Sequence, residues 1–563
     1  MLSKKQKILF ITFFVLVFSV CVVIRLFYIQ VVNHDHYTKL SHIQSVKEVS
    51  VMDNRGKILD KKGNLIALDK KIASLFIFGR DIENVNVLSK ALSKAGISLS
   101  YSKIKKIKNS EGFIWLDRGV SIEKAIKAKR YYSKINIIKH ENRYYPGNET
   151  LAGVIGFTGV DNQGLYGIEY LLDSTLKSDE KRFYLMRDSK GELIKIDEDI
   201  EKKNRGTDVY LTVDMELQKT AELILKEDMT RYGAKMGVVA AMNVFNGELL
   251  FVASAPSFNP NRFENYSKEF WKNKLTLYLF EPGSIFKAVT FCHLFESGLV
   301  DNSVKVDCGD GSYRLHGHTI NDVHRYKLLT PHEILIKSSN IGTVKLAEKS
   351  TPKSFYQFLR VAGFNSKSGI IGMPEEGGKL RDYREWSGLS MASLSMGQEL
   401  MVTPLQMLRF CAAIANGGFL VKPKIIDRIV PGNEFSSEQH KRIFSSATSS
   451  TLSTLLKDVV EEGTGKRARS DFFKIAGKTG TAQKFDVKNA RYSKRDYVAS
   501  FVGFFPYENP KIAMVVIFDS PRTSIYGGST AAITFRKIAE QVAIKFGFNI
   551  KRIMANYDTK KAS

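Results

Sequence analysis

Cysteine is scarce in this chain: four among 563 residues, Cys21, Cys292, Cys308 and Cys411. They form no CxxC pair and no regular spacing, so the sequence encodes neither a disulfide framework nor a thiolate zinc site. Cys21 lies in an apolar N-terminal run away from the rest. A Cys292–Cys308 disulfide stays open at this level, because pairing is a matter of geometry. His316, His318, His324 and His332 share one polar stretch, but no carboxylate or cysteine completes a ligand set there. A loop or hairpin beside a cleft accounts for them, and no metal is expected. Acidic residues are in deficit, 58 against 84 Lys and Arg, for a formal net charge of +26. Such a surplus suits anionic lipid, acidic wall polymers or nucleic acid. No zinc-finger spacing or RNA-binding motif accompanies it. The lysines are spread, as in Lys103 to Lys108 and Glu201 to Arg205, in the manner of solvated faces. Internal repeats and low-complexity tracts are also lacking.

The N-terminus carries a membrane signal. Residues 1–7 hold three lysines, Ile8 to Ile24 is free of charge, and Arg25 is followed by Leu26-Phe27-Tyr28-Ile29. That length suits one spanning helix over 8–30, with Lys4, Lys5 and Lys7 keeping residues 1–7 in the cytoplasm. A cleaved signal peptide is the alternative, but the apolar run exceeds a usual h-region and no small-residue cleavage site follows. A retained anchor is expected, with the remaining chain on the far side of the membrane and nucleic acid excluded as a partner.

Three short motifs then follow in order: Ser284-Ile285-Phe286-Lys287, Ser338-Ser339-Asn340 and Lys478-Thr479-Gly480-Thr481. Each alone is cheap. Glu281-Pro282-Gly283 reads as a turn into a buried helix, which puts Ser284 in the first turn, where unpaired N–H groups favour developing negative charge. Lys287, three residues on, shares that helix face. A lysine is a poor base at about 10.4; apolar neighbours and a second cation, Lys478, would depress it. Ser338 and Asn340 would not share a face on a regular helix, but a helix start or tight turn aims both into a cleft. The third motif is expected to continue a buried strand from Phe472 to Ala476, with Gly480 letting a ligand approach the backbone. Together they hold a nucleophile, a base, relay groups and a cationic clamp, the inventory for acyl transfer through a serine ester.

The rest of the chain frames these motifs. Val209 to Val213 reads as a strand and Asp214 as the cap of a helix from Met215 to about Lys226. Val238 to Val244 and Glu248 to Ala253 flank Asn246-Gly247 as a hairpin. Ala499 to Phe505 and Ile512 to Phe518 read as buried strands, and Ala531 to Phe546 as a closing helix. Strands at both ends with helices between predict one antiparallel sheet with helices on its faces. Asp197 to Arg205 reads as a linker and residues 551–563 as a polar tail.

In these motifs the chain resembles the class B penicillin-binding proteins, monofunctional D,D-transpeptidases of peptidoglycan synthesis. The resemblance extends through Arg55-Gly56-Lys57-Ile58-Leu59-Asp60, Arg143-Tyr144-Tyr145-Pro146, Gly156-Phe157-Thr158 with Glu169, Gly397 with Thr403-Pro404-Leu405-Gln406, and Tyr526-Gly527-Gly528. Departures are Lys61-Lys62 for Arg-Asn, Gly153 for a common His, and Asn243 for a common Asp. The layout is most similar to the cell-division transpeptidase, with the elongation-specific homologue as rival. The resemblance implies an α/β (α+β) penicillin-binding transpeptidase fold over 206–550, with an antiparallel sheet flanked by helices. Before it would come an elongated, β-rich pedestal or dimerisation-type domain over 31–205. It implies Ser284, Lys287, Ser338, Asn340 and Lys478 as catalytic and Thr479, Gly480 and Thr481 as substrate-binding, with no metal or cofactor. Implied partners are peptidoglycan stem peptides, β-lactams as inhibitors, the inner membrane, a SEDS-type glycosyltransferase and division-complex proteins, with the catalytic domain in the periplasm. Residues 45–205 argue against a β-lactamase, and the lack of further spans or a signalling domain against a penicillin-sensing receptor. No catalytic acidic stretch supports a bifunctional synthase. A division-complex scaffold without catalysis conflicts with the intact motifs.

Overall fold

The computed structural model describes residues 4–52, 55–108, 112–178, 180–187, 193–198, 206–432, 440–486, 489 and 491–548. The tail expected at 551–563 and residues 199–205 of the expected linker lie outside the described residues. Asp197 and Glu198, assigned to that linker by charge, instead end the strand Leu193–Glu198. The chain forms two compact units. One holds Met1–Asn54, Ile72–Glu141 and Ser178–Arg205; the other holds Arg55–Lys71, Asn142–Lys177 and Gly206–Ser563.

The first unit begins with the helix Lys4–Phe27, continued by a π-helical turn Tyr28–Val32; this stretch is long and apolar enough to cross a membrane. Its Thr12 and Ser19 hydroxyls each donate to the carbonyl four residues back, at 2.9 Å. Beyond it, the strand Val46–Met52 pairs with Glu180–Arg187, which pairs with Leu193–Glu198. Residues 73–78 pair with the strand Phe113–Val120. Strand periodicity of two sorts their side chains. Leu75 and Ile77 pack with Leu88 and Leu92 of the helix Val85–Lys94, while Phe76 and Phe78 pack with Phe183 and Leu185. Both faces are buried, so Leu75 to Phe78 is an unbroken apolar run.

The second unit is built on a five-stranded antiparallel sheet. Its order is Leu249–Ala255, Met236–Asn243, Ile512–Asp519, Arg491–Phe505, Ala476–Asp486. Alternate residues again face two cores. Val239, Ala241, Val516 and Phe518 pack under the helices Met215–Tyr232 and Ala531–Phe546. Val238, Ala240, Val515 and Ile517 join the larger core with the helices Lys287–Glu296, Pro404–Ala415 and Ser446–Glu461. The expected hairpin forms around Asn246-Gly247; Asn243, where an Asp was expected, still accepts from the Phe245 and Asn246 N–H groups with its side-chain oxygen. The expected strand start at Phe472 is displaced: Phe473 and Ile475 are buried, but pairing begins only at Ala476. An apolar run reports burial, not backbone pairing, and so cannot separate a core-facing turn from a strand.

Asp214 caps its helix by accepting from the N–H groups of Glu216 at 3.0 Å and Leu217 at 3.3 Å, and the helix runs on to Tyr232, closed by Gly233 at φ +61°. Asp214→Ala is expected to cost about 1 kcal/mol of stability, read as a lower urea midpoint at unchanged m-value.

Segments 55–71 and 142–177 are bound to each other by buried ion pairs. Arg55 Nε donates to Glu169 Oε2 at 2.7 Å and Arg143 Nε to Glu169 Oε1 at 2.6 Å, and the Glu169 side chain is 0% exposed. Arg55 also pairs with Asp173 at 2.7 Å and Arg143 with Asp69 at 3.2 Å. Burial pushes the Asp69 carboxyl up, and Arg143 draws it back in part.

Candidate active site

Ser284 lies in a 3-10 turn, Gly283–Phe286, that runs directly into the helix Lys287–Glu296. The Gly283 N–H donates to the Gly397 carbonyl at 3.0 Å. Gly397 holds φ +80°, and a Cβ there would overlap the Gly283 carbonyl oxygen, so only glycine lets this loop buttress the turn. Ser284 is half-buried, whereas Lys287 is 0% exposed.

The second motif is a break between two helices. Pro331–Lys337 ends at Ser338 in the left-handed region, φ +58°, and Ser339 caps Asn340–Ala347 by accepting from the Gly342 N–H. This break brings Ser338 and Asn340 to the same place, which a continuous helix would forbid. Lys287 Nζ donates to the Ser338 carbonyl at 2.7 Å and to Asn340 Oδ1 at 2.8 Å, with Ser338 Oγ at 3.4 Å. Lys478 Nζ reaches the same hydroxyl at 2.9 Å and the Thr479 carbonyl at 3.2 Å. Two fully buried amines therefore converge on one half-buried hydroxyl.

Burial lowers the Lys287 amine from 10.5 to about 7, against an upward pull from Asp322. Lys478 is pushed well below its ordinary value by burial and then by the charge of Lys287. The expected depression of Lys287 is present, and of the two anticipated causes, apolar surroundings and a second cation, burial leads. A neutral amine has two N–H donors and one lone pair. The Ser338 carbonyl and Asn340 Oδ1 take the two donors at short distance, which leaves the lone pair for a proton.

Lys478 to Thr481 lie in the edge strand Ala476–Asp486. The Thr479 hydroxyl is 2.7 Å from that of Thr464, and the Thr481 hydroxyl accepts from the Gly527 N–H at 3.2 Å. Thr481 Oγ thus has its proton free to donate outward. Gly480 is closely packed on the side where a Cβ would stand. A Cβ there would run into Ser500 Oγ and meet Ile285 Cγ2 at 3.0 Å and the Pro282 carbonyl at 3.1 Å. The nucleophile turn rests on the strand at this point.

Sequence reading missed Thr464 and Asp322. Asp322 follows the hairpin of Ser312–Leu315 and His318–Asn321, in the stretch rich in histidine. Its carboxylate accepts from Ser339 Oγ at 2.6 Å and from the N–H groups of Asn340 and Ile341. A single threonine flanked by glycines (Gly463-Thr464-Gly465) and a carboxylate after a hairpin give no spacing signal toward motifs 15 or 17 residues away. Among the described residues no group of three or more His, Cys, Asp or Glu is placed to hold a metal ion. All four cysteines are free thiols, so Cys292 and Cys308 are not bridged.

Beside the nucleophile turn is a hollow of about 630 Å³, lined among others by Glu281, Arg381, Leu400, Gln483, Lys484 and Phe485. It meets the catalytic elements at Glu281, three residues before Ser284, and at Gln483, two after Thr481. Burial pushes the Glu281 carboxyl up; its Oε1 accepts from the Glu399 N–H at 3.0 Å and from Tyr492 OH at 3.2 Å.

Comparison with known proteins agrees with this geometry. The penicillin binding protein transpeptidase domain matches residues 237–540 and the penicillin-binding protein dimerisation domain residues 51–211. The chain is 31% identical to the probable peptidoglycan D,D-transpeptidase PbpC of Pseudomonas aeruginosa, over 94% of this chain and 93% of the relative. It is 30% identical to stage V sporulation protein D of Bacillus subtilis, covering 94% and 84% of the two chains. It is also 30% identical to the peptidoglycan D,D-transpeptidase FtsI of Escherichia coli, covering 91% and 87%. Among solved structures it is similar to penicillin binding protein 3 of Mycobacterium tuberculosis, at TM-score 0.69 and 25% identity over 89% of this chain and 98% of that one.

Proposed function

The chain belongs to the class B penicillin-binding proteins and is a serine-type peptidoglycan D,D-transpeptidase; from that premise we propose that it cross-links stem peptides during septal wall synthesis. The observation that supports the proposed residue roles is the convergence of the Lys287 and Lys478 amines on Ser338 Oγ, with Lys287 three residues after Ser284.

In the proposed mechanism Lys287, neutral when it acts, takes the Ser284 proton as Oγ attacks the penultimate D-alanine carbonyl of a stem pentapeptide. The backbone N–H groups of Ser284 and Thr481 stabilise the resulting oxyanion. Ser338, hydrogen-bonded to Lys478, relays the proton to the departing amine, and D-alanine leaves. The side-chain amine of a neighbouring stem then attacks the ester, loses its proton along the same relay and regenerates Ser284. Lys478, Thr479 and Thr481 hold the donor carboxylate, Gly480 keeps the strand against the nucleophile turn, and Asn340 holds the donor's peptide backbone. The hollow beyond Gln483 has room for the donor upstream of its D-alanines. A β-lactam presents the same carbonyl and carboxylate and leaves a slowly hydrolysed ester on Ser284.

The septal assignment draws on the FtsI name among relatives at 30% identity. The helix Lys4–Phe27 anchors the chain in the inner membrane with the catalytic unit in the periplasm, since the lysines before it favour the cytoplasmic side. Glycan strands come from a SEDS-type glycosyltransferase within the division complex. Depleting the chain from cells distinguishes the roles: filaments with blocked septa are expected, and rounded cells that still divide would assign it to lateral-wall synthesis.

A further inference from the structure

Asp322 occupies the point where the second motif turns into its helix. One carboxylate oxygen accepts from the Asn340 N–H and from the Ile341 N–H at 3.1 Å; the other accepts from Ser339 Oγ at 2.6 Å. These backbone groups open the helix Asn340–Ala347 and have no carbonyl partner within it, so a carboxylate there is favoured by both hydrogen bonding and the helix dipole. Its neighbour Asn321 accepts from Asn340 Nδ2 at 2.8 Å. The Asn340 amide is thereby oriented with Oδ1 toward Lys287 Nζ, 2.8 Å away. The hairpin thus fixes the backbone, the cap and the side-chain orientation of the loop that receives both lysines.

We propose that Asp322 is a positioning residue for acyl transfer: its carboxylate locks the Ser338–Asn340 turn in register with Lys287 and sets a negative charge against the buried Lys287 amine. This rests on the acyl-transfer reading given above. A role confined to folding and one that also tunes the base differ in pH dependence. Lys287 is acted on by Asp322, which favours its protonated form, and faces Lys478 across the Ser338 hydroxyl. Around Asp322 stand Ser339, Cys308 and Tyr326, with Lys345 acting on Cys308 and Lys337 over the Tyr326 ring. Removing the Asp322 charge weakens the hold on the Lys287 proton. Lys287 then becomes neutral at lower pH, and the acid limb of the rate profile moves down. A structural defect alone lowers the rate at every pH and leaves the limb in place.

The test is the acylation rate of the full-length, detergent-solubilised chain by a fluorescent penicillin, followed from about pH 5 to pH 10. Asp322→Asn is expected to slow acylation on the order of tenfold or more, the loss of a charge-assisted hydrogen bond. Its acid limb should lie below that of the native chain. Asp322→Glu keeps the charge and should keep the limb while losing rate through misplacement. Should Asp322→Ala fail to fold, the Asn variant, which retains an acceptor for the helix N–H groups, still reads out the charge. Coincident limbs for the native chain and Asp322→Asn, or an unchanged rate, overturn the proposal while leaving acyl transfer intact. A native chain that is not acylated overturns the acyl-transfer reading itself, and this inference with it.

Discussion

Lys287→Met is expected to lower β-lactam acylation by about 10²–10⁴-fold, the range for a lost general base. Methionine fills much of the same buried volume but has no lone pair to take the Ser284 proton. Lys287→Arg should fail too, because a guanidinium does not become neutral and its planar fork does not fit the positions of the Ser338 carbonyl and Asn340 Oδ1. In the native chain burial lowers Lys287 to about 7, so acylation should fall as pH drops through that value and the base becomes protonated. The same shift has a sign for folding. Between about 7 and 10.5 the unfolded chain holds a proton on this amine that the folded chain has released, so its contribution makes stability rise with pH over that window. Stopped-flow acylation of the folded Met variant checks the first claim. A residual rate close to native would remove Lys287 from the chemistry.

Glu169→Ala is the second large effect, and it acts on stability. Glu169 is the shared anion of Arg55 and Arg143, both buried, and also accepts from Tyr145 OH at 3.3 Å. Deleting it leaves two desolvated guanidinium groups, a loss of about 3–5 kcal/mol for a broken buried pair. Thermal unfolding should shift downward by many degrees. Lys127→Ala, which breaks the exposed Lys127–Glu123 pair at 2.7 Å, should leave the melting temperature where it was. Equal shifts for the two variants would refute the network as the tie between segments 55–71 and 142–177.

Much of the catalytic unit is legible in the sequence because its signals are local. Asp214 caps its own helix, Asn246-Gly247 turns its own hairpin, and Ser284 and Lys287 share a face by spacing alone. Lys287, Ser338, Asn340 and Lys478 of the three motifs come together, and the turn at Ser338 resolves the two-residue spacing that a helix could not. What stayed hidden depends on distant partners. Glu169 meets an arginine 114 residues away, a partner that no pattern in the sequence shows. Gly480 suggested ligand access; its close packing against Ile285 and Pro282, almost two hundred positions earlier, is a separate feature that the sequence does not show. The depression of Lys287 was anticipated from apolar neighbours and from Lys478; burial leads in the structure, and its extent is a property of the packed core that composition does not reveal. Phe473 and Ile475 show the converse, apolar side chains that are buried without belonging to a strand.

The central claim, that Ser284 is an activated nucleophile, is tested most directly by intact-mass analysis of the full-length protein after exposure to a penicillin, beside Ser284→Ala. The account predicts one persistent adduct with the mass of the intact drug on the native chain and none on the variant. An adduct that survives in Ser284→Ala, or a native chain that stays unmodified while folded, would contradict it.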